Sequence, residues 1–506
     1  MVFSSITFVY AFFPLVAVAY YLSKNRVYRN VVLLLASLLF YSWGEPRFLL
    51  LMLAATLAAY CGGLLMERST AHKRLILIVT VVLLVGNLFV FKYLNFFSEN
   101  LSALFGWRAL PKLTLPIGIS FYTFQILSYV IDLYRGEIRV QRNYFYLLLY
   151  VSFFPQLIAG PIVRYETVEQ EIQERHESID DVAAGLRRFI LGLAKKVILA
   201  NNIARIAETI YAGDSAVYGT ALYWLAAVAY ALQIYFDFSG YSDMAIGLGR
   251  MFGFHFLENF DHPYTALSIT DFWRRWHISL STWFRDYVYI PLGGNRKGTA
   301  RMYLNLFIVF LVSGIWHGAG WNFVLWGALH GALYLVTRAW QRRQPWQLKQ
   351  PRQQCAADVH VQSGTKKSGV FSAVQHVLCV ALTFLFLNFT WMLFRSANLS
   401  QAGEFVGRLI GGGFAAPAVQ ITEAFNLEEF WYVIKILHLD RLPGSELYLC
   451  FGFWAVALWL VFFARNAGER EKSFEPNGKT MFVTAFLMIW CVVSLSGVSS
   501  FLYYRF

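Results

Sequence analysis

The sequence is poor in charged residues and in cysteine. Charged residues make up only 14% of its 506 residues, whereas soluble domains carry about 25%. Its five cysteines are scattered and form no C-x-x-C pair. Neither a disulfide framework nor a thiolate metal site is therefore indicated.

Apolar and aromatic side chains are abundant instead. Hydrophobic residues make up 58% of the chain and aromatic residues 18%, and the mean hydropathy is +0.48. The 46 Phe and 29 Tyr are too many to bury in one water-soluble globule. The composition excludes a disordered chain and predicts a polytopic membrane protein.

The excess of basic residues is also explained by a membrane protein. The 43 basic residues exceed the 30 acidic ones, which gives a net charge of +13. Most of the basic residues lie in short loops between apolar segments, where they fix the cytoplasmic side of a membrane protein. We therefore expect the lipid bilayer, and no nucleic acid, to be the partner of these charges.

Apolar stretches long enough, or nearly long enough, to span a bilayer recur along the chain. They lie at residues 1–22, 30–43, 47–66, 75–97, 113–133, 144–162, 219–240, 321–340, 370–395, 446–464 and 479–496. The shorter or amphipathic pieces lie at 187–205, 243–257, 268–290 and 303–316. These pieces are too polar to face lipid. We predict an all-α fold with about 11 transmembrane helices plus several partial or re-entrant and interfacial helices.

The distribution of basic residues predicts the orientation. Residues 1–22 carry their positive charges after the apolar core, which favours a retained helix with its N-terminus outside over a signal peptide. The most basic loop, 341–369, is expected in the cytoplasm, and counting spans from it puts 497–506 outside. No inverted pair of similar halves is visible, which disfavours a secondary transporter.

Polar residues concentrate in one block, 233–331. Asp, Arg and His at membrane depth are costly unless they pair or line a cavity, so a functional interior is expected there. The run 303–316 rises about 21 Å, short of a hydrocarbon core of about 30 Å. His317 is therefore expected inside the membrane, towards the outer side. The residues alone leave open whether it packs against a carbonyl or performs chemistry.

Two further histidines lie in this block. His277 sits in a segment rich in Trp and Arg, which an interfacial helix would also explain. His330 is interpreted as a packing residue. No metal site is expected from the three histidines, because they lack i, i+4 spacing and an added carboxylate cluster.

Here the sequence resembles the membrane-bound O-acyltransferase (MBOAT) family, in particular its bacterial branch typified by alginate O-acetylation membrane proteins. The matching strings are Met1-Val-Phe-Ser-Ser, Leu115-Pro-Ile-Gly-Ile-Ser-Phe-Tyr, Pro155-Gln-Leu-Ile-Ala-Gly-Pro161, Trp276-His277-Ile-Ser-Leu and Trp316-His317-Gly. The resemblance implies that His317 is catalytic, with His277 as its partner.

The resemblance also implies one transmembrane domain over 1–506, built around a central tunnel. Its parts would be N-terminal helices (1–140), a catalytic core (141–340), a basic cytoplasmic loop (341–369), C-terminal helices (370–496) and an extracytoplasmic tail (497–506).

The implied reaction carries an acyl group from a cytoplasmic thioester to an acceptor on the other side of a bacterial inner membrane. The expected donor is acetyl-CoA, with no tightly bound cofactor. The acceptor is an exported polysaccharide, and the partner is an extracytoplasmic SGNH-hydrolase-like protein. A hydroxyl is a poor nucleophile, and an imidazole within reach can take its proton during attack.

Basic residues near the two motifs would suit the phosphates of coenzyme A, although membrane anchoring explains them equally well. They are Arg274, Arg275, Arg285 and Lys297.

The last residues resemble the aromatic tail Phe-x-Tyr-Phe-x-Phe of this branch. They read Phe501-Leu-Tyr503-Tyr504-Arg-Phe506, with Tyr504 and Arg505 in place of the usual Phe and Gln. The hypothesis is that His317 helps to acetylate Tyr503 and that the partner then moves the acetyl group to sugar hydroxyls. An aromatic interface anchor is the alternative.

Two other functions stay open at this stage. One is the transfer of D-alanine or another acyl group to a cell-wall polymer. The other is a non-enzymatic subunit for polysaccharide export or transport.

Overall fold

The computed structural model describes residues 1–69, 71–108, 110–212, 218–343, 370–411, 413, 435, 436, 438, 441, 442, 445–472 and 477–495. Within these ranges the chain is helical and contains no β-strand; a single isolated bridge joins Phe260 and Trp276. The all-α prediction is confirmed for this part of the chain.

The helices of the first half have the following bounds. They are α1 (Phe13–Tyr21, preceded by a π-helical turn Phe8–Phe12), α2 (Arg26–Ser42), α3 (Pro46–Arg68), α4 (Lys73–Phe105), α5 (Ile119–Arg135), α6 (Tyr144–Ser152), α7 (Tyr165–Gln173), α8 (Ile179–Ala194, followed by a π-helical turn Lys195–Ala200), α9 (Asn201–Ala212) and α10 (Thr220–Met251).

The helices of the second half follow. They are α11 (Ile269–Arg275), α12 (Ile278–Phe284, followed by a π-helical turn Arg285–Tyr289), α13 (Thr299–His317), α14 (Trp321–Arg343), α15 (Val370–Arg395), α16 (Leu399–Gly411), α17 (Ser445–Phe462), α18 (Ala467–Lys472) and α19 (Gly478–Ser494).

The chain forms two compact units. Of the residues that the structure describes, the first unit comprises those within Met1–Asn259, Trp316–Gly320 and Gly407–Phe506, and the second comprises those within Phe260–Ile315 and Trp321–Val406. His317 thus belongs to the first unit, whereas His277 and His330 belong to the second.

Five of the described helices are long and apolar enough to cross a membrane, namely α3, α4, α10, α13 and the stretch Val374–Arg395 of α15. Three shorter apolar helices accompany them, at Phe8–Tyr21, Tyr448–Phe462 and Gly478–Ser494. The protein is therefore a multi-pass membrane protein, and the total of about 11 spans stays a prediction.

Several helix bounds differ from those expected. The stretch 113–133 becomes helical only at Ile119, because Gly118 adopts a left-handed φ of 76° directly before it. The stretch 144–162 stops being helical at Ser152, ahead of Pro155, since a proline disfavours helix at the residue before it. Residues 219–240 and 243–251, predicted as parts of two segments, form the single helix α10.

Helices α8 and α10 approach each other at glycines. A Cβ atom built on Gly192 would lie 2.5 Å from the Gly240 carbonyl oxygen and 2.7 Å from the Met244 amide nitrogen. A second pair, Gly185 and Gly247, is equally close. Small residues at a crossing let two helix backbones pack directly.

This contact predicts the effect of one added methyl group. Gly192→Ala should destabilise the protein by about 1–3 kcal/mol, because backbone atoms on α10 must move. Gly86→Ala is the matched control, since a Cβ at Gly86 on α4 would meet no atom within 4 Å. The measurement is thermal unfolding of the two detergent-extracted variants, and equal unfolding temperatures would contradict the packing argument.

The acidic residues of α10 are held by basic residues of the preceding segment. Lys195 Nζ lies 2.6 Å from an Asp243 carboxylate oxygen, and Lys196 Nζ lies 2.7 Å from an Asp237 oxygen. Arg188 on α8 also contacts Asp243, at 2.6 Å. These carboxylates of the polar block thus form ion pairs that join α10 to α8 and the π-helical turn after it.

Candidate active site

His317 is the last residue of α13 and is 4% exposed. Helix α13 has 19 residues, a length of about 28 Å. It is longer than the 21 Å expected from the apolar run, because it already begins at Thr299. Gly318 and Gly320 follow its end. Glycine is the residue that most commonly terminates a helix.

Aromatic rings of α5 position the neighbouring residue Trp316. Its ring stacks on Phe124 with the centroids 5.3 Å apart, and it meets Phe121 edge-on at 5.7 Å. The His317 ring packs edge-to-face against Trp316 at 4.9 Å. The side chain of His317 is therefore oriented by a tryptophan that is itself held by two phenylalanines.

The start of α5 contributes further residues to the same site. Gly118 has a φ of 76°, and a Cβ there would lie 3.1 Å from the Leu157 carbonyl oxygen. A side chain would be strained there by conformation and by contact. This turn places Ser120 in the first turn of α5, beside the irregular segment that contains Pro116.

A lysine from the middle of an apolar helix completes the site. Lys92 on α4 is 7% exposed. Its Nζ donates a hydrogen bond to Ser120 Oγ at 3.1 Å and another to the carbonyl oxygen of Trp316. The same Nζ lies 5.5 Å from the centroid of the Trp316 ring, within the range of a cation–π interaction.

These residues surround a small cavity of about 40 Å³. Its walls are formed by Lys92, Leu115, Pro116, Ile117, Gly118, Ile119, Ser120, Phe121, Ile158, Trp316 and His317. Such a volume has room for about three water-sized groups. An imidazole, the amino group of a lysine and a hydroxyl thus face one confined space with otherwise apolar walls, where electrostatic interactions are stronger than in water.

His277 lies fully buried between α11 and α12. Its backbone is left-handed, with a φ of 45°, and its carbonyl oxygen accepts a hydrogen bond from Ser281 N at 3.1 Å. Burial lowers the pKa of the His277 imidazole to about 3, so the ring is neutral at physiological pH. A neutral imidazole can donate one hydrogen bond and accept another, which the implied role of polarising a carbonyl or positioning the donor needs.

Comparison with known proteins decides the family. Over 423 residues the chain is 43% identical to the probable alginate O-acetylase AlgI of Pseudomonas putida, covering 82% of this chain and 81% of that protein. It is 48% identical over 349 residues to the corresponding Azotobacter vinelandii protein, covering 67% of this chain and 69% of the other. It is 36% identical over 448 residues to the peptidoglycan O-acetyltransferase of Helicobacter pylori, covering 81% and 80%.

The family model described as "MBOAT, membrane-bound O-acyltransferase family" matches residues 135–374. The chain belongs to the membrane-bound O-acyltransferase family. It is therefore an acyltransferase of the membrane. All three histidines lie within the matched range, whereas Lys92 and Ser120 precede it.

The third histidine of this acyltransferase has packing contacts throughout. Trp273 Nε1 donates a hydrogen bond to His330 Nδ1 at 3.3 Å. The rings of Trp326 and Phe386 lie 4.5 Å and 5.3 Å from the imidazole. These contacts support the structural interpretation of His330. Among the described residues no group of His, Cys, Asp and Glu could hold a metal ion.

The four candidate donor-binding cations differ in their surroundings. Arg275 Nε lies 3.1 Å from Asp271, and Arg285 Nε lies 2.6 Å from Asp286. Arg274 and Lys297 are exposed. All four lie in the second unit, and their role in binding the donor stays a prediction. Tyr503 lies outside the described residues, so its role stays a prediction as well.

Sequence reasoning missed Lys92 and Ser120 as site residues. Ser120 lies in the matching string Leu115-Pro-Ile-Gly-Ile-Ser-Phe-Tyr, which predicts no site role for it. The signal for Lys92 is visible, because it is a lysine inside the apolar run 75–97, and a charge within a membrane segment is a functional candidate by default.

Proposed function

We propose that this acyltransferase O-acetylates an exported cell-surface polysaccharide in a bacterial inner membrane. The relatives named as alginate O-acetylase and peptidoglycan O-acetyltransferase support acetyl as the group and a glycan as the acceptor. The observation that carries the proposal is the cavity of about 40 Å³ at His317. Its room for about three water-sized groups matches the three heavy atoms of an acetyl group.

In the proposed reaction His317 is the general base. The imidazole takes the proton of the attacking hydroxyl while the hydroxyl oxygen forms a bond to the thioester carbonyl carbon. The carbon–sulfur bond then breaks, and the proton passes from the imidazolium to the leaving thiolate. Apolar walls and tight burial keep water away, so the thioester is not hydrolysed.

The donor proposed here is acetyl-CoA supplied from the cytoplasm. Arg274 and Lys297 are the proposed contacts for its phosphates, because both are exposed cations. Arg275 and Arg285 would first have to exchange their carboxylate partners for phosphate, so they contribute less.

His277 is proposed to serve the same reaction, by polarising the carbonyl or positioning the donor. The support is its neutral, fully buried ring within the matched range of the family. The N-terminus and the tail with Tyr503 are proposed to lie outside the cytoplasm. From Tyr503 the acetyl group would pass to an extracytoplasmic SGNH-hydrolase-like partner and then to the polysaccharide.

The experiment that tests this function releases ester-linked groups from surface polymers with mild alkali, in cells with and without the gene. Loss of acetate in the deletion strain, restored by the gene, is the expected result. Loss of D-alanine would instead support aminoacyl transfer. A smaller amount of polymer at the surface, with the acetate content per unit of polymer unchanged, would support an export subunit.

A further inference from the structure

We propose that Lys92 is a second catalytic group, whose ammonium binds the acyl carbonyl oxygen as that oxygen gains negative charge. This role rests on the proposed function, in which His317 acts as the base in the same cavity. Lys92 would then act as an oxyanion hole. It lies outside the residues matched by the family model.

The environment of Lys92 differs from that of the other buried cations. Lys196 lies 2.7 Å from Asp237, and Arg188 lies 2.6 Å from Asp243. Lys92, by contrast, has only neutral partners among the residues that the structure describes. An ammonium in an apolar helix without a carboxylate is costly. A buried charge of this kind is expected where it serves a function, because negative charge that develops on the substrate then stabilises it.

The hydrogen bonds of Lys92 leave capacity for a ligand. A lysine ammonium has three N–H donors and no acceptor. Two of them go to Ser120 Oγ and to the Trp316 carbonyl oxygen. One donor is left, and Lys92 lines the cavity that His317 also lines.

The two existing hydrogen bonds also fix the ammonium in advance. Ser120 is held in the first turn of α5, and Trp316 is held by stacking on Phe124. A charge that is already oriented needs no reorganisation when the reaction occurs, which is the condition for strong electrostatic catalysis.

The step balances without moving a proton on Lys92. As the hydroxyl oxygen attacks, the carbonyl π electrons move to the carbonyl oxygen, which becomes an oxyanion beside the ammonium. When the carbon–sulfur bond breaks, those electrons reform the carbonyl. The hydroxyl proton travels through His317 to the thiolate, and Lys92 stays protonated throughout.

The test compares Lys92→Gln with Lys92→Arg in purified full-length protein, using acetyl-CoA and an acceptor oligosaccharide together with the extracytoplasmic partner. Gln keeps a hydrogen-bond donor and removes the charge, so kcat should fall by about 10²–10³-fold. KM for acetyl-CoA should change little, because the charge acts mainly on the transition state. Arg keeps the charge and should retain at least about a tenth of the parent kcat.

Two controls make the result specific. Lys112→Gln removes an exposed lysine that pairs with Glu99 at 2.9 Å, and it should leave kcat unchanged. Ser120→Ala leaves the ammonium in place but removes one of its acceptors, so kcat should fall by about tenfold. Ser120→Ala can therefore test the role of Lys92 even if Lys92→Gln fails to fold.

A Lys92→Gln protein with kcat within about twofold of the parent overturns the role, because a structural hydrogen bond alone would then suffice. A folded Lys92→Arg protein as slow as Lys92→Gln overturns it too. Loss of activity in His317→Ala with normal activity in Lys92→Gln removes only the role of Lys92. Full activity in His317→Ala removes the role of His317 as the base, and absence of acetyl transfer by the parent protein removes the proposed function itself.

Discussion

Replacing His317 with alanine is expected to reduce acetyl transfer by about 10²–10⁴-fold, the usual contribution of a positioned general base. The imidazole is 4% exposed and lines the cavity with Lys92 and Ser120. Without it, a hydroxyl in an apolar cavity has no group to accept its proton. The measurement is the rate of acetyl transfer by membranes that contain equal amounts of variant and parent protein.

The control for His317→Ala is His72→Ala. His72 is exposed, directly precedes α4 and contacts Ser69 at 3.3 Å. It should transfer acetyl groups at the parent rate. If His317→Ala does the same, another group takes the proton and the assignment of His317 is wrong.

The second large effect is expected from Tyr503→Phe. This change removes one phenolic oxygen and keeps the aromatic ring, so membrane anchoring by the tail is preserved. If Tyr503 carries the acetyl group, no ester can form on phenylalanine, and glycan acetylation should fall by at least about a hundredfold. The measurement is ester-linked acetate on surface glycans at equal protein levels.

Tyr504 is a matched control at the next position. Tyr504→Phe should leave acetylation unchanged, because Phe is the usual residue there in the resembling tails. Mass spectrometry of the C-terminal peptide should find one acetyl group on Tyr503 in the parent and none in His317→Ala. Full glycan acetylation in the Tyr503→Phe variant would contradict the carrier role of Tyr503 and leave membrane anchoring as the role of the tail.

The class of fold could be predicted from the sequence because hydropathy is a local property. Apolar runs predicted the bounds of α3, α4 and α15 to within two residues, except at the C-terminal end of α4, which extends to Phe105. Helix α10 was divided in the prediction because its second part is polar. Its Asp237 and Asp243 are tolerated in a continuous helix since Lys196 and Lys195 neutralise them.

The candidate site could be predicted only in part, for a different physical reason. His317 could be singled out because its motif is local, whereas the helix that ends at it is longer than the apolar run predicted. The hydrogen bond between Lys92 and Trp316 joins positions 224 residues apart. Motif spacing and helical periodicity cannot predict a contact over that separation. The left-handed turn at Gly118, which brings Ser120 to Lys92, depends equally on tertiary packing.

The most direct test of the account follows the acetyl group across the membrane. Inside-out membrane vesicles containing the protein, its extracytoplasmic partner and the polysaccharide receive radiolabelled acetyl-CoA from outside, which is the cytoplasmic face. With the parent protein, label should accumulate in alkali-labile ester inside the vesicles, and with His317→Ala it should not. Equal accumulation with both proteins would contradict the claim that the imidazole of His317 is the base in acyl transfer.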